Sequence, residues 1–253
     1  MLLNPNTSQS MTDGLMKVAT FAARAGTTLL PYTMTRGFPY ISSRAEAQIS
    51  GSLALEAIAK HEHEIDAVII AAFGDPGLRA ARELFPLPII GMAEASILTA
   101  AQISECFSIV TFTPAMSSWY LDSVQNSGLS QRFASLRTPQ YHDGNVSDIQ
   151  ARMRETICEL VNQCSDEDGA GVVILGGAPL AGLSFELQTE VPVLLLDPIW
   201  CAVRQAEALV GAVSRQAWQT RNKKQIPKSS AGLDPVLADR MAGNLTFDHT
   251  QDK

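Results

Sequence analysis

The chain repeats itself, and this constrains its fold more than any other feature. Ala67-Val68-Ile69-Ile70 runs into a loop of small residues from Ala71 to Leu78. Gly171-Val172-Val173-Ile174-Leu175 runs into a similar loop from Gly176 to Leu183. Downstream, Leu87-Pro88-Ile89-Ile90 matches Val191-Pro192-Val193-Leu194. Upstream, Leu2-Leu3-Asn4-Pro5 matches Phe112-Thr113-Pro114, which ends the run beginning at Ser108. The offset is roughly half the chain, so two copies of one supersecondary unit are expected.

Apolar residues at helical spacing fill the gaps. Ser10 to Ala25 carries Leu15, Val18, Phe21 and Ala22 on one face. Leu53 to Lys60 and Ile149 to Val161 are further helices, and Ala202 to Trp218 carries the clearest stripe, Val203, Ala206, Leu209, Val210 and Val213. Continuous apolar strands alternating with amphipathic helices predict an α/β fold with parallel sheets covered on both faces. The expected division is a first lobe of residues 1–97 plus 201–222 and a second of 98–200. Residues 223–253 contain Pro227, Ser229, Ser230, Gly232 and Pro235. They read as a peripheral tail, frayed from Asp248 to Lys253.

The net charge of −7 argues against nucleic acid as a partner. The one basic cluster, Arg221-Asn222-Lys223-Lys224, reads as a solvated helix end. Met1-Leu2-Leu3 leads directly into Asn4-Pro5-Asn6 without a basic and apolar leader. No run approaches the ~18 apolar residues of a membrane span, so a cytoplasmic protein without membrane contact is expected. Cys106, Cys158, Cys164 and Cys201 form no C-x-x-C pair and have no histidine at ligand spacing, which predicts free thiols and no metal site.

In open parallel sheets, ligands bind beyond the carboxyl ends of the strands. That rule selects four loops, Asn4 to Ser8, Ala72 to Gly77, Thr111 to Ser118 and Gly176 to Gly182. Asn6, Thr7 and Ser8, with Thr113, Ser117 and Ser118, supply hydroxyls, an amide and helix N-termini for carboxylate or imide oxygens. Taken singly, Thr7 or Ser8 is a helix cap and a glycine makes a turn. Four matching loops in two repeats predict a cleft lined by Asn6, Thr7, Ser8, Phe73, Gly74, Thr113, Ser117, Gly177 and Ala178.

These residues carry a family resemblance. Asn4-Pro5-Asn6-Thr7-Ser8, Phe73-Gly74-Asp75-Pro76-Gly77-Leu78, Gly91-Met92-Ala93-Glu94-Ala95 and Leu175-Gly176-Gly177-Ala178 resemble segments of the Asp/Glu/hydantoin racemases, in their hydantoin and allantoin branch. The resemblance covers about residues 1 to 220. It implies two Rossmann-like lobes related by a pseudo-twofold axis, a site between them, and no cofactor or metal. It also implies two cysteines on opposite faces of a carbon acid, one removing a proton and one delivering it. This chain has Ala72 and Gly177 at the two matching positions.

Neither residue titrates. Asp75, Ser117, Tyr120 and Asp197 remain as candidates for the chemistry. Asp75 and Glu94 belong to the family motif and read as structural. His142, in Tyr141-His142-Asp143-Gly144, reads as a surface residue, and Cys201 as buried. Three readings stay open. One is an enzyme using other chemistry on a hydantoin-like, cyclic amide or carboxylate substrate, such as decarboxylation, ring opening or lyase chemistry. Another is a racemase-type or decarboxylase-like enzyme with an engineered Cys→Ala change at 72. The third is a non-catalytic binding protein. Thiols at both positions are the change by which two-faced proton exchange would be restored. A homo-oligomer is expected.

Overall fold

A computed structural model of the chain describes residues 1–140, 148–220 and 226–244. The expectations for His142, for the 221–224 basic cluster and for the frayed end at 248–253 fall outside the described residues.

The first repeat folds as β1 (Leu2–Asn4), α1 (Gln9–Ala22), β2 (Pro31–Thr33), α2 (Arg44–His61), β3 (Val68–Ile70), α3 (Leu78–Leu84), β4 (Ile89–Gly91) and α4 (Met92–Ile103). The second folds as β5 (Phe107–Val110), α5 (Ser117–Ser127), β6 (Phe133–Arg137), α6 (Ile149–Asp166), β7 (Val172–Leu175), α7 (Leu183–Leu187), β8 (Leu194–Leu196) and α8 (Pro198–Ala212). Each repeat forms a four-stranded sheet, ordered β2-β1-β3-β4 and β6-β5-β7-β8. Every pairing is parallel; Leu2 lies opposite Ile69, and Val110 opposite Leu175. The protein is thus α/β, with two Rossmann-like lobes of one topology.

The central strands β1, β3, β5 and β7 are fully buried, which is why they read as unbroken apolar runs. The edge strands β2 and β6 are half-exposed and carry no such run. One apolar core runs through both lobes, from Leu2, Ile69 and Ile90 to Phe107, Ile109 and Val173. A second, smaller one lies on the other face of the first sheet, around Leu3, Ile58, Ile70 and Phe85.

Four helices differ from their expected spans. α1 runs from Gln9 to Ala22 and stops where Ala23 turns extended, short of Ala25. α2 starts at Arg44, because Ser43 caps it through the Glu46 amide and Glu46 reaches back to the Ser42 amide at 2.6 Å. α6 starts at Ile149 as its stripe requires but runs on to Asp166. The stripe from Ala202 to Trp218 is not one helix. α8 begins at Pro198 behind the Asp197 cap and stops at Ala212, where Val213 turns extended; α9 (Arg215–Thr220) follows. α8 packs on α1, α4, β3 and β4, so a segment that follows the second sheet covers the first. In the expected tail, α10 (Pro235–Ala242) docks on α2 and buries Leu237 and Arg240.

Candidate functional site

The carboxyl ends of the central strands face one small cavity between the lobes. Asn6, Met11, Tyr40, Ile41, Ala72 and Phe73 line it from the first lobe, and Met116, Trp119, Tyr120, Ala178 and Pro179 from the second. Its volume is about 20 Å³, room for roughly one water. Aromatic rings fill most of the space: Phe73 packs on Tyr120 at 4.6 Å between centroids, and Tyr40 lies 6.1 Å from Phe112.

The turn after β1 is built on amide side chains. Buried Asn4 donates to Asn6 Oδ1 at 2.9 Å and to Thr12 Oγ1 at 2.9 Å, and Asn6 Oδ1 also accepts from the Ser8 amide. These bonds fix the Asn6 oxygen. Its Nδ2 makes no hydrogen bond among the described residues, and Asn6 lines the cavity, so that amide is the polar donor offered from this turn. The Ser8 hydroxyl caps α1 through the Met11 amide. The Thr7 amide donates to the Phe38 carbonyl, and Thr113 Oγ1 caps the short 3-10 turn Pro114–Met116 through the Ala115 amide. Thr7, Ser8, Gly74, Thr113, Ser117 and Gly177 all stand outside the cavity wall, while Asn6, Ala72, Phe73, Tyr120 and Ala178 meet in it.

The two acids nominated from sequence are both tied to backbone. Asp75 accepts from the Ala93 and Glu94 amides at 2.9 and 2.8 Å, across the start of α4. Burial, offset in part by those amides, raises its pKa to about 7. Asp197 caps α8 through the Ile199 and Trp200 amides and also holds the Gly182 amide at 2.7 Å. Burial raises its pKa as well. Neither lines the cavity. Glu94 pairs with Arg82.

Two glycines are required by close approach. Gly74, at φ +117°, lies under the Trp119 indole, which a Cβ would overlap. Gly177, at φ +121°, would place a Cβ 2.8 Å from Phe112 Cε1 and 3.3 Å from the Tyr120 hydroxyl. The Tyr120 phenol therefore stands beside the position from which a side chain at 177 would project. Burial raises its pKa; the Thr111 hydroxyl lies close enough to offset part of this without closing a hydrogen bond. Burial raises Tyr40 too, and its hydroxyl points to Met116 Sδ at 3.5 Å. Both phenols are neutral O–H donors at neutral pH.

None of the four cysteines lines the cavity. Cys164 and Cys201 are buried, and Cys106 and Cys158 are partly exposed. Among the described residues, no group of His, Cys, Asp and Glu could hold a metal ion, and no helix is long and apolar enough to cross a membrane.

Tyr40, Ile41, Met11 and Trp119 lie outside the four loops that the sequence selects. The loop carrying Tyr40 and Ile41 follows β2, so the strand-end rule applies to it once that edge strand is recognised.

Duplicated parallel lobes closing on a cavity at their strand ends define a two-lobed α/β class. The Asp/Glu/hydantoin racemase family model matches residues 1–206, and the chain belongs to that family. It is 34% identical over 214 residues to a hydantoin racemase of Pseudomonas sp. (strain NS671), covering 83% of this chain and 84% of that protein. Among solved structures, allantoin racemase from Klebsiella pneumoniae superposes with a TM-score of 0.83 at 32% identity, covering 93% of this chain and 97% of that one. Allantoin racemase from Pseudomonas fluorescens gives 0.77 at 27%, covering 89% and 98%.

Proposed function

We propose that this hydantoin/allantoin racemase-like chain acts, without a cofactor, on a small substrate bearing carboxylate or imide oxygens in the interlobe cavity. Its proton transfer does not run between two thiols. The observation that carries this reading is the chemistry at positions 72 and 177. Ala72 presents a methyl group to the cavity, and Phe112 and the Tyr120 hydroxyl crowd the place a side chain at 177 would take. The family resemblance puts cysteines at those two positions.

A buried phenol with a raised pKa holds its proton and is a poor base. It suits donation to a carbanion that the substrate itself generates. In a substrate that loses carbon dioxide, the electrons of the broken C–C bond stay on carbon. Tyr120 O–H protonates that carbon from one face, and water restores the phenol. The Asn6 amide supports the developing enolate oxygen.

The test uses two substrates in D2O. A 5-benzylhydantoin should keep its optical rotation and exchange no C5 proton. A 5-benzylhydantoin-5-carboxylate should release carbon dioxide and give product deuterated on one face, at a rate that falls about 10²-fold or more in Tyr120→Phe. Efficient racemisation of the hydantoin by the unmodified chain overturns the proposal.

A further inference from the structure

The inner cavity is too small for any organic substrate, so part of its wall must move to admit one. Trp119 is the wall with space behind it. Its indole lines the inner cavity on one side and, on the other, an outer groove of about 590 Å³ between α2, α3 and α5. An adjoining groove of about 360 Å³ shares Gly74, Asp75, Leu78 and Arg79 with it. Gly74, bare of a side chain, is the surface on which the indole lies.

Arg44 ties the turn that carries Trp119 across the lobes. Arg44, at the start of α2, donates to both Asp122 oxygens at 2.7 and 2.9 Å and to the Ser118 carbonyl at 3.1 Å. Ser118 immediately precedes Trp119. The other charges in the grooves are partnered. Arg44 is matched by Asp122, Arg82 by Glu94, and Asp75 by the α4 amides. Arg79 is exposed, lines both grooves, and has no hydrogen bond or ion pair among the described residues. The groove therefore carries a free cation on a chain whose net charge is −7.

The geometry points to the outer groove as an admission vestibule for small anions, with Arg79 as its cationic contact and Trp119, latched by Arg44, as the partition before the inner cavity. The inference rests on the reading of the inner cavity as the reaction site, but its test needs no reaction.

A thiol introduced by Ala72→Cys reports access to the inner cavity. Its modification by a neutral, an anionic and a cationic methanethiosulfonate is followed by peptide mass spectrometry, which separates it from the native cysteines. In the Ala72→Cys chain modification should be slow. Adding Trp119→Ala should speed it at least tenfold for all three reagents, and Trp119→Phe, which keeps an aromatic ring in place, by an intermediate factor. Arg44→Ala should speed it several-fold, as should added salt. Arg79→Gln should lower the anionic-to-cationic rate ratio several-fold and leave the neutral rate alone. The partition is overturned if neither Trp119 variant changes the rate while Tyr40→Ala, on the opposite wall, raises it. The vestibule is overturned if Arg79→Gln leaves the ratio unchanged.

Discussion

Asp75 and Asp197 close the same joint in the two lobes from opposite sides. In the first lobe the carboxylate comes from the loop after β3 and holds the amides that start α4. In the second it stands at the start of α8, holds that helix's amides, and reaches back to the Gly182 amide in the loop after β7. Each carboxylate ties the loop after a third strand to the helix after a fourth, and these loops lead away from the cavity wall.

Removing the second tie should be costly. Asp197→Ala leaves two helix amides and the Gly182 amide without their acceptor. A loss of about 2–3 kcal/mol is expected, from the cap and the stranded donors together. Urea unfolding followed by circular dichroism measures it. An unmoved midpoint at unchanged slope would refute the tie.

The Asp75 carboxyl makes stability depend on pH. Its folded pKa of about 7 lies above the ordinary 3.8, chiefly through burial. Between those values the folded chain holds a proton that the unfolded chain has released, so stability falls as pH rises. The contribution is complete below the unfolded value and is lost as pH passes about 7. Asp75→Asn should flatten the pH dependence of the urea midpoint between pH 4 and 8. The same slope in both proteins would count against it.

Gly177 cannot take a side chain in its present conformation. Its φ of +121° suits glycine, and Phe112 occupies the Cβ site. Gly177→Ala should cost about 1–3 kcal/mol, with Gly177→Cys at least as much. The two thiols expected from sequence to restore exchange on both faces would therefore distort the second loop. Deuterium exchange by Ala72→Cys with Gly177→Cys should stay one-sided at most, read by mass spectrometry beside optical rotation.

Thiol chemistry should separate the four native cysteines into two classes. Burial pushes Cys201 up to about 12 and raises Cys164, while Cys106 and Cys158 are partly exposed. Ellman's reagent at pH 8 should titrate those two in the native protein and the other two only after unfolding. Rapid native reaction of Cys201 would contradict its burial.

The central strands and their loops were legible because a strand buried on both faces must be apolar throughout. Val68–Ile70 and Val172–Leu175 announce themselves in that way, and Asn6, Phe73 and Ala178 follow from the loops beyond such strands. An edge strand with a face in water breaks that pattern, as β2 does, whereas β4, an edge strand covered by α3 and α8, keeps it. Pro31-Tyr32-Thr33 therefore carries no recognisable run, and the Tyr40 loop behind it was lost with it. The break after Ala212 was hidden for a related reason. The apolar stripe continues past it, although Leu209, Val210 and Val213 are left partly exposed. Which rings fill the cleft depends on tertiary packing, and no local spacing marks Trp119 as lying against Gly74.

The docking of the last helices sets an order of assembly during synthesis. α8 covers the first sheet, and Arg240 of α10 lies over the Phe85 ring, donates to the Leu84 carbonyl and pairs with Glu62. Arg240 follows Leu84 by 156 residues. At ribosomal speeds of about 5–20 residues per second, that is a wait of roughly 8–30 s. The lobe that leaves the ribosome first is thus the last to be sealed, and until then its uncovered apolar face is what a chaperone would meet.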